Sequence, residues 1–439
     1  MSDFTAVPRG KVVSRDSFLA EQGCRLSSAL WGVTLSGDVA TQVLGPIVPA
    51  SFADMRLVAD TSTLRTKPGR AHELTAICEP EGHLQTTATG RVIHAQDLSP
   101  RAALRRVISQ LHAQGLCATV APEIEFFLLQ PKSSSAQPWQ AAQPGAHMAV
   151  LERACEANSL ERLAHFEPFF DALYAGCDAL SIPMVGHDHE AAFSQFEVNF
   201  SPADPLSQAD AVFRFKSLVK TTAARMGFVA CFAPKPFANE PGTGMHWHLS
   251  LQYLNASTTQ AWPHVFAQAD GSDSPALAHF AAGLQSHTEA AMAVFAPHDA
   301  SYSRVTQSDA SATHASFGHE ARDLALRIPT SGPSARRLEN RLPGGDSNPY
   351  LVLATTLGLG AWGMEQQLAA CTAPSAAPAL PTDLPTATQA LAENAPLRQI
   401  LGETLVDAFV GTLRAEHHAR HSHTGGVKDW DYRHLTEGA

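Results

Sequence analysis

The chain has 439 residues, 44 % of them apolar, and a formal net charge of −11. That length and apolar content allow a full core and more than one domain, and they exclude global disorder. An acidic chain without Lys/Arg clusters speaks against nucleic acid and anionic membrane as partners.

Residues 1–97 hold short apolar segments, Ala29–Leu35 and Leu74–Cys78 among them, separated by Gly/Pro/Asp turns, a β-rich pattern. At Asp97-Leu98-Ser99-Pro100 the pattern changes: Ser99 suits an N-cap, Pro100 the first helical position, and Leu104, Val107, Ile108 and Leu111 follow at helical spacing. A domain boundary is expected there, giving 1–97 and 98–439. A strand is read at 120–129, then a polar Pro/Ser/Gln-rich loop over 131–146. A helix opens at Asp204-Pro205 and stops at Gly227, and a glycine-flanked strand, GTGMHWHLSL, occupies 242–251. The apolar stretch at 350–361 is too short to span a bilayer. After a Pro/Ala-rich connection at 373–387, one C-terminal helix is expected over 395–418. Seven dispersed cysteines without a C-x-x-C pair, and an N-terminus without an apolar run, lead to the expectation of a soluble, cytoplasmic protein with reduced thiols.

Residues two apart in a strand share a face. Glu123 and Glu125 in PEIEFF, Glu197 and Asn199 in SQFEVNF, His246, His248 and Ser250 in GMHWHLS, and Arg337, Glu339 and Arg341 in RRLENRLP each form a polar row backed by apolar neighbours. Each row alone reads as a solvated face or an ion-pair ladder. Four in one domain, with an HDHE run at 187–190, point to convergence. Converging carboxylates need cations to stay ionised. Mostly carboxylate donors with one imidazole suit Mg²⁺ or Mn²⁺ rather than zinc, and paired metals point to phosphoryl transfer. Arg304, Arg322, Arg327, Arg337 and Arg341 are candidate anion-binding guanidiniums. The chain has neither a P-loop nor a strand–G-x-G-x-x-G–helix unit. The histidines at 417, 418, 421 and 423 look like a metal-binding tract, or a solvated helix end.

The order Glu-x-Glu, HE…QFE, KPF…GTGMHWH, SYSR, R…LRIP and RRLENR…NPYL resembles the glutamine synthetase family over nearly all of 98–439, with a looser match at DTSTLRTKPG (60–69). The resemblance implies an α+β fold, with an N-terminal β-grasp domain and a catalytic domain built on a curved antiparallel sheet. It implies a homo-oligomer, typically a dodecamer of two stacked hexameric rings with active sites shared between subunits. Carried over by motif, one metal is held by Glu125, Glu190 and Glu197, the other by Glu123, His246 and Glu339. His248 lies near the γ-phosphate of ATP, Ser250 and Arg337 face the nucleotide, Arg304, Arg322 and Arg341 bind glutamate or the phosphate, and Arg327 contacts phosphate. The implied cofactors are ATP and two or more Mg²⁺ (or Mn²⁺), and the implied chemistry is phosphorylation of the glutamate γ-carboxylate followed by displacement by an amine.

Two features depart from ammonia-using members of that family. Arg304 is followed by VTQSDAS, with Ala310 at the position of the flap glutamate and Asp309 one residue earlier; the stretch PASFADMRL (49–57) stands where the family's D-G-S-S loop is expected. The acceptor expected is therefore a larger amine, with Glu190 as leading base and Asp309 as second. FRFKSLVK, ASFGHEARDLALRIP and GGDSNPYLVLA are most similar to the glutamate–putrescine ligase branch, and a polyamine, diamine or monoamine is the expected substrate beside glutamate. Ala321 and Asp323, flanking Arg322, stand where Asn and Ser are usual and leave the acid substrate open. The alternatives are an ammonia-using glutamine synthetase and a catalytically inactive relative with a regulatory or structural role.

Overall fold

The computed structural model describes every residue except 87–89, 133, 135, 144–154, 255–262, 307–310 and 374–375. Helix α1 (Arg15–Glu21) leads into β1 (Gly23–Ser27), which pairs antiparallel with β2 (Asp54–Ala59). Two hairpins follow around it, β3 (Arg65–Lys67) with β4 (Arg70–Thr75), and β6 (His83–Gln85) with β7 (Val92–His94), while β5 (Cys78–Glu81) completes a three-stranded sheet on β2. The segment expected as a strand at 29–35 is instead a 3-10 turn over Ser28–Gly32: the Ser27 hydroxyl accepts from the Ala29 N–H at 3.2 Å and turns the chain before it can extend.

Helix α2 (Pro100–Ala113) starts on the Ser99 cap and buries Leu104, Val107 and Leu111. Arg101 in its first turn donates to Asp210, Glu79 and Asp60, which ties the N-terminal sheet to the helical layer. The long strand β8 (Leu116–Leu129) is the centre of an eight-stranded sheet. Helices α3 (Leu160–His165) and α4 (Glu167–Leu180) precede β9 (Met184–His189) and β10 (Gln195–Phe200). Helix α5 (Pro205–Arg225) is capped by Asp204 and followed by β11 (Val229–Cys231) and β12 (Met245–Tyr253). Then come α6 (Pro275–Ser286), α7 (Thr288–Phe295), α8 (Ser301–Thr306) and the short strands β13 (Phe317–His319), β14 (Leu326–Ile328) and β15 (Leu338–Asn340).

The sheet order is β13-β14-β15-β12-β8-β10-β9, with β11 also on β8. All pairs are antiparallel except β13–β14. The fold is α+β, as expected. The apolar run at 350–361 lies in α9 (Pro349–Glu365), a helix buried along most of its length in the layer behind the sheet. Among the described residues no helix is long and apolar enough to cross a membrane.

After α10 (Leu384–Glu393), the single helix expected over 395–418 is two: α11 (Ala395–Leu401) and α12 (Glu403–Ser422). Gly402 breaks them with φ +97°, a backbone state that residues with a Cβ avoid.

Candidate active site

Antiparallel register assembles the polar rows. On β8, Glu123 stands opposite His246 of β12, and Glu125 opposite Glu197 of β10. On β12, His248 stands opposite Glu339 of β15, which in turn faces Arg327 of β14. Met245, Trp247 and Leu249 alternate with the histidines and are buried on the core side, so they hold β12 in register. Glu190 follows β9 at the turn into β10, its N–H donating to the Gln195 carbonyl at 2.8 Å.

These strands wall a cavity of about 420 Å³. Glu123, Glu125, Glu190, Glu197, His246, Arg304, Arg322, Arg327 and Arg341 all line it. Four other predicted residues among those described, Glu339, His248, Ser250 and Arg337, do not. Glu339 is fully buried beneath the wall, accepting from Arg327 at 2.7 Å on one oxygen and from Arg341 on the other. His248 is hydrogen-bonded to Glu123 at 2.8 Å, and its Nδ1 accepts from Arg337 at 3.2 Å, which leaves the Nε2 proton to point at Glu123. Ser250 lies further along the strand, opposite Thr119. Asp309 lies outside the described residues.

Donor atoms of Glu125, Glu190 and Glu197 lie within 4.8 Å of one another, as do those of Glu123, Glu197 and His246, and of Glu123, His248 and Glu339. His246 Nδ1 is 3.7 Å from Glu123 and 3.9 Å from Glu339. Those separations are too long for hydrogen bonds. They are longer than the roughly 3.0 Å between neighbouring ligands of an octahedral cation with 2.1 Å bonds, so the three groups would draw in around one.

The electrostatics agree. Burial, reinforced by Glu190, pushes Glu125 up to about 8. Burial and the charges of Glu123, Glu125 and Glu190 push Glu197 up to about 9. Burial lowers His246 to about 4, with Arg341 adding to it, so its imidazole is neutral and available as a ligand. Burial opposes ionisation of Glu123 too, but the imidazoles of His246 and His248 outweigh it and hold that carboxyl well below its usual range. Carboxylates raised by their own crowding fit a divalent cation, and a mostly carboxylate set with one imidazole fits Mg²⁺ or Mn²⁺.

Sequence reasoning put Asn199 in the polar row without a partner and missed other contributors. Gln195 donates to Glu125 at 3.0 Å, and Asn199 to Glu197 at 2.9 Å. Alternation along β10 already put Gln195 and Asn199 on the face of Glu197. Asp188, inside the HDHE run and opposite Glu197, lines the cavity with one oxygen held by Asn158 at 2.6 Å. The Gly244 N–H donates to Glu125 at 3.0 Å.

Residues 97–434 match the family described as "Glutamine synthetase, catalytic domain". The chain is 29 % identical over 371 residues to a glutamate–isopropylamine ligase of Pseudomonas sp, covering 83 % of this chain and 77 % of that one. It is 29 % identical over 372 residues to the gamma-glutamylputrescine synthetase PuuA of Escherichia coli K12 (84 % and 75 % covered), and 30 % identical over 342 residues to the glutamine synthetase of Mycolicibacterium smegmatis (74 % and 73 %). Among solved structures it is similar to a GmaS/ADP complex, with TM-score 0.78 and 26 % identity over 98 % of this chain and 94 % of that one. A structure titled as a novel glutamine synthase homolog gives TM-score 0.80 at 25 % identity, covering 99 % of this chain and 96 % of that one.

Proposed function

The chain belongs to the glutamine synthetase family, and from that premise we propose that it is an ATP-dependent ligase joining the γ-carboxylate of glutamate to an alkylamine or polyamine. The observation that carries the reading is the lining of the cavity, where Val305, Leu324, Leu342, Ala157, Ala191 and Ala312 accompany the acids and guanidiniums. Apolar surface in the cavity gains nothing from ammonia and can cover the carbon skeleton of a larger amine. Relatives named for isopropylamine and putrescine support the same choice.

The roles follow from position. Two divalent cations would supply charge neutralisation at the phosphate oxygens of ATP; Glu125, Glu190 and Glu197 would hold one, and Glu123, His246 and Glu339 the other, Glu339 giving up one of its guanidinium partners to do so. Arg304, Arg322 and Arg341 bind the glutamate carboxylate or the transferring phosphoryl group, and Arg327 the phosphate. Arg304 is held in place by its donation to the carbonyls of Leu342 and Arg341, both at 2.9 Å. The γ-phosphoryl group moves to the γ-carboxylate and ADP leaves. Glu190, at the cavity edge with Oε2 accepting from the Ala191 N–H at 2.9 Å, takes the proton of the incoming amine. The amine nitrogen then displaces inorganic phosphate. Asp309 is the second candidate for that base. His248 orients Glu123, and Arg337 orients His248; with Ser250 they form the side toward the nucleotide. The same reading extends to a cytoplasmic dodecamer of two stacked hexameric rings, with residues 1–97 as a β-grasp domain and 98–439 as the catalytic domain.

The test is phosphate release from ATP, Mg²⁺ and glutamate with a panel of amines. Putrescine or an alkylamine is expected to drive turnover and ammonium to drive little. Ammonium as preferred acceptor would make the chain an ammonia-using glutamine synthetase. Silence with every amine would favour an inactive relative, although all six candidate ligands are present.

A further inference from the structure

The C-terminal histidine tract is left unused by the proposed reaction. Helix α12 carries His417 and His421 four residues apart, hence one above the other on a single face. Their ring centroids are 4.5 Å apart. Both rings turn to one oxygen of Asp299: His417 Nδ1 is 2.7 Å from Oδ1, and His421 Nε2 is 3.4 Å from it. Asp299 comes from the turn that opens α8, where its carbonyl accepts from the Tyr302 N–H at 3.3 Å. Its side chain is 13 % exposed. The nearest guanidinium on the helix, Arg420, is committed to Asp431 through two hydrogen bonds of 2.7 and 2.8 Å. His423, at the end of the same tract, pairs with Asp429 instead.

We propose that Asp299, His417 and His421 form a second, separate metal site, selective for zinc-class cations (Zn²⁺, Co²⁺, Ni²⁺). The three donor atoms lie within 4.8 Å of one another. Tetrahedral zinc with bonds near 2.05 Å separates its ligand atoms by about 3.3 Å. The His421–Asp299 pair already stands at that spacing. The His417–Asp299 pair must widen by roughly 0.6 Å, within reach of a small swing of an imidazole on the protein surface. His421 has a side chain 49 % exposed, so the fourth position opens to water. Two imidazoles and one carboxylate bind zinc-class ions in preference to Mg²⁺, the reverse of the carboxylate-rich cavity. The ion would pin α12 to the turn that feeds Arg304, beside the direct His298–Glu416 pair that already joins the same two elements.

The experiment uses the full chain in excess Mg²⁺, which occupies the oxygen-rich sites. Zinc is titrated by calorimetry, and cobalt(II) by its visible ligand-field spectrum. The expected result is one zinc bound per chain and cobalt bands of a tetrahedral N/O set, with a rise in the thermal midpoint. The double variant His417→Gln/His421→Gln should lose this binding by more than the roughly 10–100-fold that removal of a ligand's outer partner costs, while amine-dependent turnover in Mg²⁺ stays at the wild-type level. Asp299→Asn is the second variant and should weaken zinc in the same way. Wild-type zinc affinity in either variant, or no zinc binding by the parent chain in excess Mg²⁺, overturns the proposal.

Discussion

Gly244→Ala is the sharpest test of how closely the backbone approaches the cavity. A Cβ at this position would stand 2.5 Å from His246 Nε2, 3.0 Å from His246 Cε1 and 2.9 Å from Glu125 Oε1. Ordinary contact begins near 3.5 Å, so the imidazole must retreat by about 1 Å. It has little room, because Glu123 and Glu339 lie at 3.7 and 3.9 Å from its other nitrogen. Gly244 is not among the glycines with positive φ, so alanine fits its backbone and the damage stays local. A displacement of that size in the reacting constellation costs on the order of 10²-fold in rate, about 2.7 kcal/mol at the barrier. The assay is amine-dependent phosphate release, paired with Mn²⁺ binding followed by electron paramagnetic resonance. Turnover should fall about a hundredfold and Mn²⁺ affinity should drop, with little change in thermal midpoint. Gly332→Ala, where φ is −63° and nothing lies within 4 Å of the added Cβ, should behave as wild type. Undiminished Mn²⁺ affinity and turnover in Gly244→Ala would refute the reasoning.

Glu339→Gln keeps the shape but takes the charge from between Arg327 and Arg341; it should abolish turnover and cost roughly 3 kcal/mol in denaturant unfolding, as expected for breaking a buried pair. The pH dependence of stability should have an unusual sign when divalent ions are removed. Glu125 and Glu197 carry folded values of about 8 and about 9 against an ordinary 4.5, so the folded chain holds protons that the unfolded chain releases. Their contribution is complete below the ordinary value and is lost as pH rises through the folded ones. The thermal midpoint in chelator should therefore fall between about pH 6 and 9, and saturating Mg²⁺ should flatten that slope; identical slopes with and without Mg²⁺ would contradict the cation assignment. Gly402→Ala forces a side chain into φ +97° and should destabilise the chain by about 1–3 kcal/mol in a denaturant titration while leaving kcat at low temperature unchanged.

What the sequence discloses and what it hides separate along physical lines. Side-chain alternation has a period of two, so the faces shared by Glu123 and Glu125, or by His246 and His248, are readable in any isolated strand. The neighbours of a strand are not. β8 is flanked by β10 and β12, which arrive about 70 and 120 residues later in the chain, and only their register turns separate polar rows into donor sets. Facing the same way also says nothing of depth. His248 and Glu339 share faces with cavity residues yet sit behind the wall, where they hold Glu123, Arg327 and Arg341 rather than meeting solvent. Gly402 was hidden for a different reason: the apolar periodicity on both sides of it is helical, and a lone glycine inside such a pattern is tolerated more often than it breaks the helix. The Asp299 contact to the histidine tract was hidden because it spans 118 residues and joins a turn to a helix face, where no period exists to be read. The same distinction divides the lining of the cavity. Glu123, Glu125, Glu197 and His246 come from strands, whose pattern is local and regular, whereas Glu190, Asn158, Arg304 and Arg322 reach the same cavity from turns, a connection and a short helix, which obey no such pattern.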